Sequence, residues 1–555
     1  MVANNADTPL RGLDDESRQM VVDTVRQLRR RLLTRDKILE WDREEVFPEE
    51  AVRELVGPEL GLQLLFLPEE YGGMGGGARD CCRFTREMAR ICLGVGTAFF
   101  AIHLGADPIL VGATHEQKKK WLGKIAEGDT LVAYAVTEAN AGSNLASLKT
   151  RAEPIEEDGK ITAYKLNGAK QFISTGGYAD FITVLAATPD GPTFFIVEKG
   201  QAGYEQGKGE EKHGIRASNT SPLTFTDVIV PVENLIGGVP GQGLKQANKV
   251  FGYTRLMVAS MAAGCGDAAL RIAIPYAQER IQFGAPLSEK QGYTHKLIIP
   301  HVVKMAAGDA YMDEIATRID GGGLDMQVEG AIAKYFVTEA VDDAANDCIQ
   351  ALGGYGYISE YEVEKIKRDV KITCIYEGTS EIQQNIIATF RWRTTRKTKG
   401  AYYGDMAAEM AELAGGMDDI GARYYGLAAR ALNVLIEKVH EARLTKQQYI
   451  MFALSDLMTH VEVGVSMGRK TAFLVNGGDK QAEKYKAMSR IFANMVSEIT
   501  VNTALTILSG SGAFEEKALS EFMYETTADR LSGSYAGVVR DMDFVADIVF
   551  GRIEE

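Results

Sequence analysis

Tyr134-Ala135-Val136-Thr137-Glu138-Ala139-Asn140-Ala141-Gly142-Ser143 is where the chain changes character. It closes the first of several short β-rich runs, at 131–137, and turns away through small and polar residues. Further runs follow at 161–166, 172–174, 181–187, 193–197 and 223–230, with turn signals at Asn167-Gly168 and Pro189-Asp190-Gly191. Such regular spacing predicts a small antiparallel β-barrel or sandwich. On either side the period is helical. Val21, Val22, Val25, Leu28 and Leu32 recur at helical spacing before it. From about residue 243 to 393 long helical patterns return, and Ala262, Ala263, Gly264, Gly266 and Ala268 are small enough for helix backbones to approach closely in a bundle or subunit interface. A last helical region, broken at Gly415-Gly416 and Gly477-Gly478, carries no catalytic motif and reads as a packing or dimerisation module. The expected fold class is α+β, mostly α. It comprises an N-terminal helical domain (1–130), a middle β-domain (131–240), a helical bundle (241–398) and an additional helical domain (399–555).

Composition sets bounds on function. A chain of 555 residues is too long for one core, so two to four domains are expected. Apolar residues make up 45%, as in a globular protein, and no uninterrupted apolar run reaches the roughly 18 residues of a bilayer span. The first residues lack a charged segment followed by an apolar one, so a secretory signal is not expected. Cys81, Cys82, Cys92, Cys265, Cys348 and Cys374 form no Cys-x-x-Cys pair; buried, reduced thiols in a cytoplasm are expected, and no metal site. The net charge of −15 argues against nucleic acid. The basic run from Arg391 to Lys399 reads as a solvated linker, with peripheral contact to a membrane surface or an anionic partner as the alternative. Gly73-Met74-Gly75-Gly76-Gly77-Ala78 matches a dinucleotide fingerprint formally, but Pro68-Glu69-Glu70-Tyr71 separates it from the preceding apolar run. It reads as a loop, and nicotinamide binding is disfavoured.

Two further segments matter. Ile375-Tyr376-Glu377-Gly378-Thr379-Ser380-Glu381-Ile382 puts a carboxylate between an aromatic ring and a glycine, then two hydroxyls; alone it is a polar turn with a solvated Glu. The other is Arg280-Ile281-Gln282-Phe283-Gly284. In this order and spacing, the three segments resemble the acyl-CoA dehydrogenase family over roughly residues 15–395. The resemblance implies an N-terminal helical domain, a middle β-domain and a four-helix bundle. The extra helical region resembles the very-long-chain branch.

The same resemblance implies a flavoenzyme that desaturates acyl-CoA thioesters. Removing two hydrogens from a thioester needs a base for the α-proton and an acceptor for the β-hydride. No side chain accepts hydride, so a cofactor must, and FAD is implied. A carboxylate in a dry pocket suits the base, and Glu377 is the candidate. Tyr376 and Gly378 would lie against the substrate, and the Glu377 N–H would donate to the thioester carbonyl. Branched-acid members carry the base just before an arginine on an earlier helix. Here that position is Thr254, between Tyr253 and Arg255, which strengthens Glu377 and weakens an isovaleryl-type reading. The resemblance assigns Tyr134, Ala135, Val136, Thr137, Gly142 and Ser143 to the flavin, with Ser143 also reaching the CoA moiety. It assigns Phe172, Ile173 and Ser174 likewise, although the family usually has Trp at Phe172. Ala139 and Asn144 depart from the usual Pro and Asp. Arg280, Phe283, Gln291, Gln350, Gly353, Gly354, Thr379 and Glu381 complete the implied flavin contacts. Several of these reach a neighbouring subunit's flavin, implying a homo-oligomer, dimer or tetramer.

Substrate length should depend on residues 93–100, read as a turn at the base of the acyl pocket. Gly96 would deepen the cleft, Phe100 and Phe99 could close it, and Tyr253 and Arg255 would lie along the CoA chain. No arginine occurs between Gly94 and Phe100 to pair a distal carboxylate, so a neutral medium or long chain is favoured. A compact or cyclic acyl group is the alternative. The expected acceptor is an electron-transferring flavoprotein. An acyl-CoA oxidase and a non-enzymatic assembly protein keeping the fold are the competing readings.

Overall fold

Asp14 starts the first helix by accepting from the Ser17 N–H at 2.7 Å, and the Thr114/Gln117 capping box starts another. The computed structural model describes residues 12–323, 326–417 and 419–554. Two compact units are distinguished: Met1–Cys265 with Ala316–Gln327 and Lys365–Thr373, and Gly266–Ile315 with Val328–Glu364 and Cys374–Glu555.

In the first unit, helices Asp15–Arg31, Arg35–Arg43, Glu49–Leu55, Ala78–Ile91, Leu93–Gly112 and His115–Ala126 precede the sheet. Val22, Val25, Leu28 and Leu32 are buried, as their spacing predicts. The glycine run before Ala78 is a loop preceded by a short 3-10 turn rather than a strand. Residues 93–100 are not a turn. They begin the Leu93–Gly112 helix, whose near-continuous apolar content lets it be buried nearly all round. This helix packs on the first strand, and a Cβ at Gly105 would lie 2.7 Å from Val132.

The sheet contains β1 (Val132–Ala135), β2 (Arg151–Glu157), β3 (Lys160–Ser174), β4 (Phe181–Thr188), β5 (Gly191–Glu198), β6 (Tyr204–Gln206) and β7 (Thr220–Pro231). Their order is β1-β4-β2-β3-β7-β6, with β5 on β4. The sheet is not wholly antiparallel: β1 and β2 both pair parallel with β4. Asn167-Gly168 does not separate strands. It is a bulge inside β3, where the register with β7 shifts between Leu166 and Gly168 and the Asn167 side chain accepts from the Asp227 N–H at 2.9 Å. A second shift, between Lys170 and Ile173, brackets Phe172. Tyr164, Leu166, Val184, Phe195, Leu223, Phe225 and Val228 fill the core under the sheet.

In the second unit, helices Gln327–Leu352, Ser380–Lys397, Ala401–Gly416, Ala422–Glu441, Gln448–Asn476 and Ala482–Ala504 dominate. A Cβ at Gly266 would lie 2.7 Å from the Met305 sulfur, so the small-residue stretch serves close helix packing. The basic run at Arg391 is not a linker. It lies in the last turns of the Ser380–Lys397 helix. Arg391 is buried and makes paired hydrogen bonds to Glu462 at 2.7 and 2.8 Å and one to Glu329 at 3.2 Å. Tyr403 donates to the same Glu462 carboxylate at 3.0 Å. Among the described residues, four long helices have windows apolar enough by length and composition to cross a membrane, but 61–83% of each window is buried inside the protein. Their apolar residues serve its cores. None of the six cysteines is in a disulfide, and five are buried.

Candidate active site

Glu377 lies in a turn between a short 3-10 segment, Lys371–Cys374, and the Ser380–Lys397 helix. Thr379 caps that helix, accepting from Ile382 N–H at 3.4 Å. Glu377 has φ +55° and Gly378 φ +91°. Two successive left-handed residues redirect the chain, and for Glu this region costs on the order of 1–2 kcal/mol. The side chains beneath the turn hold it there. Gln383 Nε2 donates to the carbonyls of Glu377 (3.0 Å) and Gly378 (2.8 Å), and Lys334 Nζ donates to the Gly378 carbonyl at 2.7 Å. Lys334 and Gln383 are fully buried. Ser380 Oγ is bonded to Glu339 and to the Cys374 carbonyl. A Cβ at Gly378 would meet Gln383 Nε2 at 2.6 Å, so glycine is required by space as well as by backbone conformation. Glu377 and Tyr376 are half-buried.

In the first unit, β1 runs into the turn that opened the sequence reading. Glu138 does not face solvent there. Its carboxylate accepts from the Lys149 and Thr150 N–H groups (2.7 and 3.1 Å) and from Lys170 Nζ (2.8 Å), and Lys170 also donates to the Val136 carbonyl at 3.0 Å. Burial disfavours the ionised Glu138, but Lys170 and the two amides outweigh it and hold the carboxyl below its ordinary range. Burial pushes the Lys170 ammonium down to about 8 against the pull of Glu138. Gln171 N–H donates to the Thr137 carbonyl at 2.9 Å, which joins β3 to the end of this strand. Next to it, Phe172 has φ +60° and is 61% exposed, while Ile173 is buried. The bulge thus turns an aromatic ring outwards beside the Val136–Thr137 backbone. That is a face a flavin ring fits, and Gly142 and Ser143 are open at the far end of the turn.

Models of the acyl-CoA dehydrogenase N-terminal, middle and C-terminal domains match residues 15–129, 133–228, and 241–390 with 408–534. An acyl-CoA dehydrogenase of Bacillus subtilis (strain 168) is 38% identical over 351 residues, which cover 62% of this chain and 90% of that protein. The chain belongs to the acyl-CoA dehydrogenase family. The mitochondrial very long-chain specific acyl-CoA dehydrogenase of Macaca fascicularis is 37% identical over 345 residues, covering 60% of this chain and 51% of that protein. The crystal structure of an acyl-CoA dehydrogenase complexed with FAD from Bacillus anthracis aligns with a TM-score of 0.84 at 24% identity. It covers 97% of this chain and 95% of that one, a likeness of fold that extends through the last helices.

In this acyl-CoA dehydrogenase the remaining predicted residues fall into two groups. In the second unit, Arg280 begins a hairpin of β8 (Ile281–Gln282) and β9 (Ala285–Pro286). Phe283 and Gly284 both have positive φ, as a two-residue hairpin turn needs, and Phe283 is 97% exposed at the tip. The Arg280 guanidinium sits 5.9 Å from the Tyr355 ring centroid, which places it near exposed Gly353 and Gly354; Gln350 is exposed one turn earlier. Gln291 bonds Asp543 at 2.9 Å, and Glu381 is exposed. In the first unit, Gly96 and Phe100 are buried on the Leu93–Gly112 helix, while Phe99 packs against Phe66, Phe84 and His103. Arg255 is buried and reaches the Gln327 carbonyl at 3.4 Å, and burial raises the Tyr253 phenol well above its ordinary value.

Sequence reasoning missed Lys170, Lys334 and Gln383. The signal for Lys334 was present: one cation among Ala331, Ile332, Ala333, Phe336 and Val337 must find a buried partner. For Lys170 the only sign was its place two residues before the flavin-side strand segment.

Proposed function

We propose that this acyl-CoA dehydrogenase carries out FAD-dependent α,β-dehydrogenation of a neutral medium- or long-chain fatty acyl-CoA to the trans-2-enoyl-CoA, within an oligomer, and passes electrons to an electron-transferring flavoprotein. The observation that carries the reading is the Glu377 turn, in which a carboxylate occupies a left-handed backbone position held by buried donors. Backbone strain of this kind is concentrated where chemistry fixes a side chain's direction. Glu377 takes the proton from carbon 2 while its own N–H donates to the thioester carbonyl oxygen, and Tyr376 covers the thioester. Bound FAD supplies the acceptor for the hydride of carbon 3. Phe172 and the Val136–Thr137 backbone hold the ring side, and Ser143 binds at the phosphate end.

Burial of the small Gly96 on an apolar helix supports a neutral acyl chain, as does the lack of arginine between Gly94 and Phe100. The exposed Phe283 tip, with Arg280 at its base, supports an oligomer in which this arm reaches a second copy. The extended length shared with the Bacillus anthracis structure supports the extended branch.

The test is anaerobic titration of the yellow protein with acyl-CoAs from butyryl- to stearoyl-CoA. Medium or long chains should bleach the oxidised-flavin absorbance. Glu377→Gln should keep its flavin and lose bleaching by at least about 10²–10⁴-fold. Bleaching by that variant at the parent rate would remove the assignment of the base. Rapid oxygen consumption during turnover would instead identify an oxidase.

A further inference from the structure

Lys334 and Gln383 place buried donors under one turn from two different helices. Gln383 gives its amide hydrogens to the carbonyls of residues 377 and 378, while its own Oε1 is buried with no partner among the described residues. A buried acceptor without a partner costs about 1–3 kcal/mol. A nonpolar side chain of similar shape would avoid that penalty, so the fold keeps the glutamine for its donors. Lys334 is also fully buried, and its ammonium donates to the Gly378 carbonyl at 2.7 Å. Both side chains converge on the Gly378 carbonyl, and Gln383 adds the Glu377 carbonyl. These are the acceptors that the two left-handed residues turn inwards, away from water.

We propose that Lys334 and Gln383 are positioning residues for the base: by bonding these two carbonyls they hold Glu377 left-handed and aim its carboxylate at carbon 2 of the substrate. The proposal rests on the reading of Glu377 as the base. Without the donors the turn relaxes to negative φ, the lower-energy region for glutamate, and the carboxylate swings off its line of approach. A misplacement of about 1 Å costs roughly 100-fold in rate.

The measurement isolates the proton step. 3,3-Dimethyloctanoyl-CoA has no hydrogen on carbon 3, so it cannot be oxidised, but its carbon 2 protons can exchange with deuterated water through the base. Exchange is followed by mass spectrometry on the flavin-loaded parent and on Lys334→Met, Gln383→Met and the double variant, alongside probe affinity, flavin content and thermal midpoint. The expected result is exchange slowed by about 10–100-fold in each single variant, with probe affinity and flavin content kept. The double variant should be little worse than the worse single variant, because both donors hold one turn. Parent-rate exchange in both folded single variants overturns the proposal, as does a loss explained by weaker probe binding alone. If Lys334→Met does not fold, Gln383→Met decides by the same criteria. Glu377→Gln separates the two claims. If it exchanges at the parent rate, the base assignment has failed. If it is silent while Lys334→Met and Gln383→Met are unaffected, only the positioning claim has failed.

Discussion

Glu138 shows what one residue does when the chain brings it a partner. In sequence it belongs to a polar turn, and nothing local marks it as buried. Lys170 comes from a different strand, and the pairing arises only when Gln171 N–H meets the Thr137 carbonyl. Together they fix the backbone that would face the flavin. Lys170→Met leaves a carboxylate buried without its cation, which should cost about 3–5 kcal/mol in urea unfolding. Restoring neutrality with Glu138→Gln in the same chain should recover part of that loss. The pH dependence has a definite sign. The folded-state pKa of Glu138 is depressed, so its contribution is complete above the ordinary value of 4.5 and is lost as pH falls through the lowered folded value. In Lys170→Met the folded value rises, so acid unfolding should begin at a higher pH; an unchanged acid midpoint would show that the pair contributes nothing.

At the scale of elements, periodicity was a good guide where one face is buried and a poor one where both are. The helix at residues 15–31 and the strand runs at 161–166 and 223–230 were legible for the first reason, whereas the runs at 181–187 and 193–197 are buried on both faces and were legible from their β-rich composition and flanking turn signals. The Leu93–Gly112 helix was not, because apolar residues surround it and its glycines read as turn signals. Asn167-Gly168 misled for a related reason: a bulge uses the same residues as a turn. Two glycines in neighbouring helices test this account of packing. Gly105 has Val132 and the Ala133 backbone within 2.7–3.0 Å of where a Cβ would stand, so Gly105→Val should overpack the helix–strand contact and destabilise by about 1–3 kcal/mol. Gly123, inside the His115–Ala126 helix, has nothing within 4 Å, and Gly123→Ala should stabilise by about 0.4–1 kcal/mol. Equal effects in thermal unfolding would mean that close approach is not what selects glycine at Gly105.

At the scale of the whole chain, the candidate base and the flavin-side turn were legible because their chemistry requires a few residue types in a fixed local order. The use of the last 150 or so residues was not, since helices that serve packing carry only an apolar stripe. The structure supplies a reason for their presence inside the second unit. Arg391, on the helix that follows Glu377, is neutralised mainly by Glu462 from the Gln448–Asn476 helix and lies over the Tyr402 ring, while Tyr403 donates to the same Glu462 carboxylate. Tyr335 and Gln384 both donate to Asp456 on that same later helix at 2.7 Å. The helix that follows the candidate base is therefore anchored at two levels by residues beyond 398. A chain ending at 398 would leave Arg391 with Glu329 alone and expose the buried Ile387 and Ala388 face. That chain should give little soluble protein and no yellow fraction. Arg391→Met in the full chain, which strands Glu462 and Glu329 together, should lower stability by about 3–5 kcal/mol. Replacing Glu462 and Glu329 by Gln in that variant should restore part of it. A truncated chain that purified with flavin and bleached with acyl-CoA at the parent rate would show that the later helices are dispensable to the turn, and that the anchoring ion pairs only join one packed region to another.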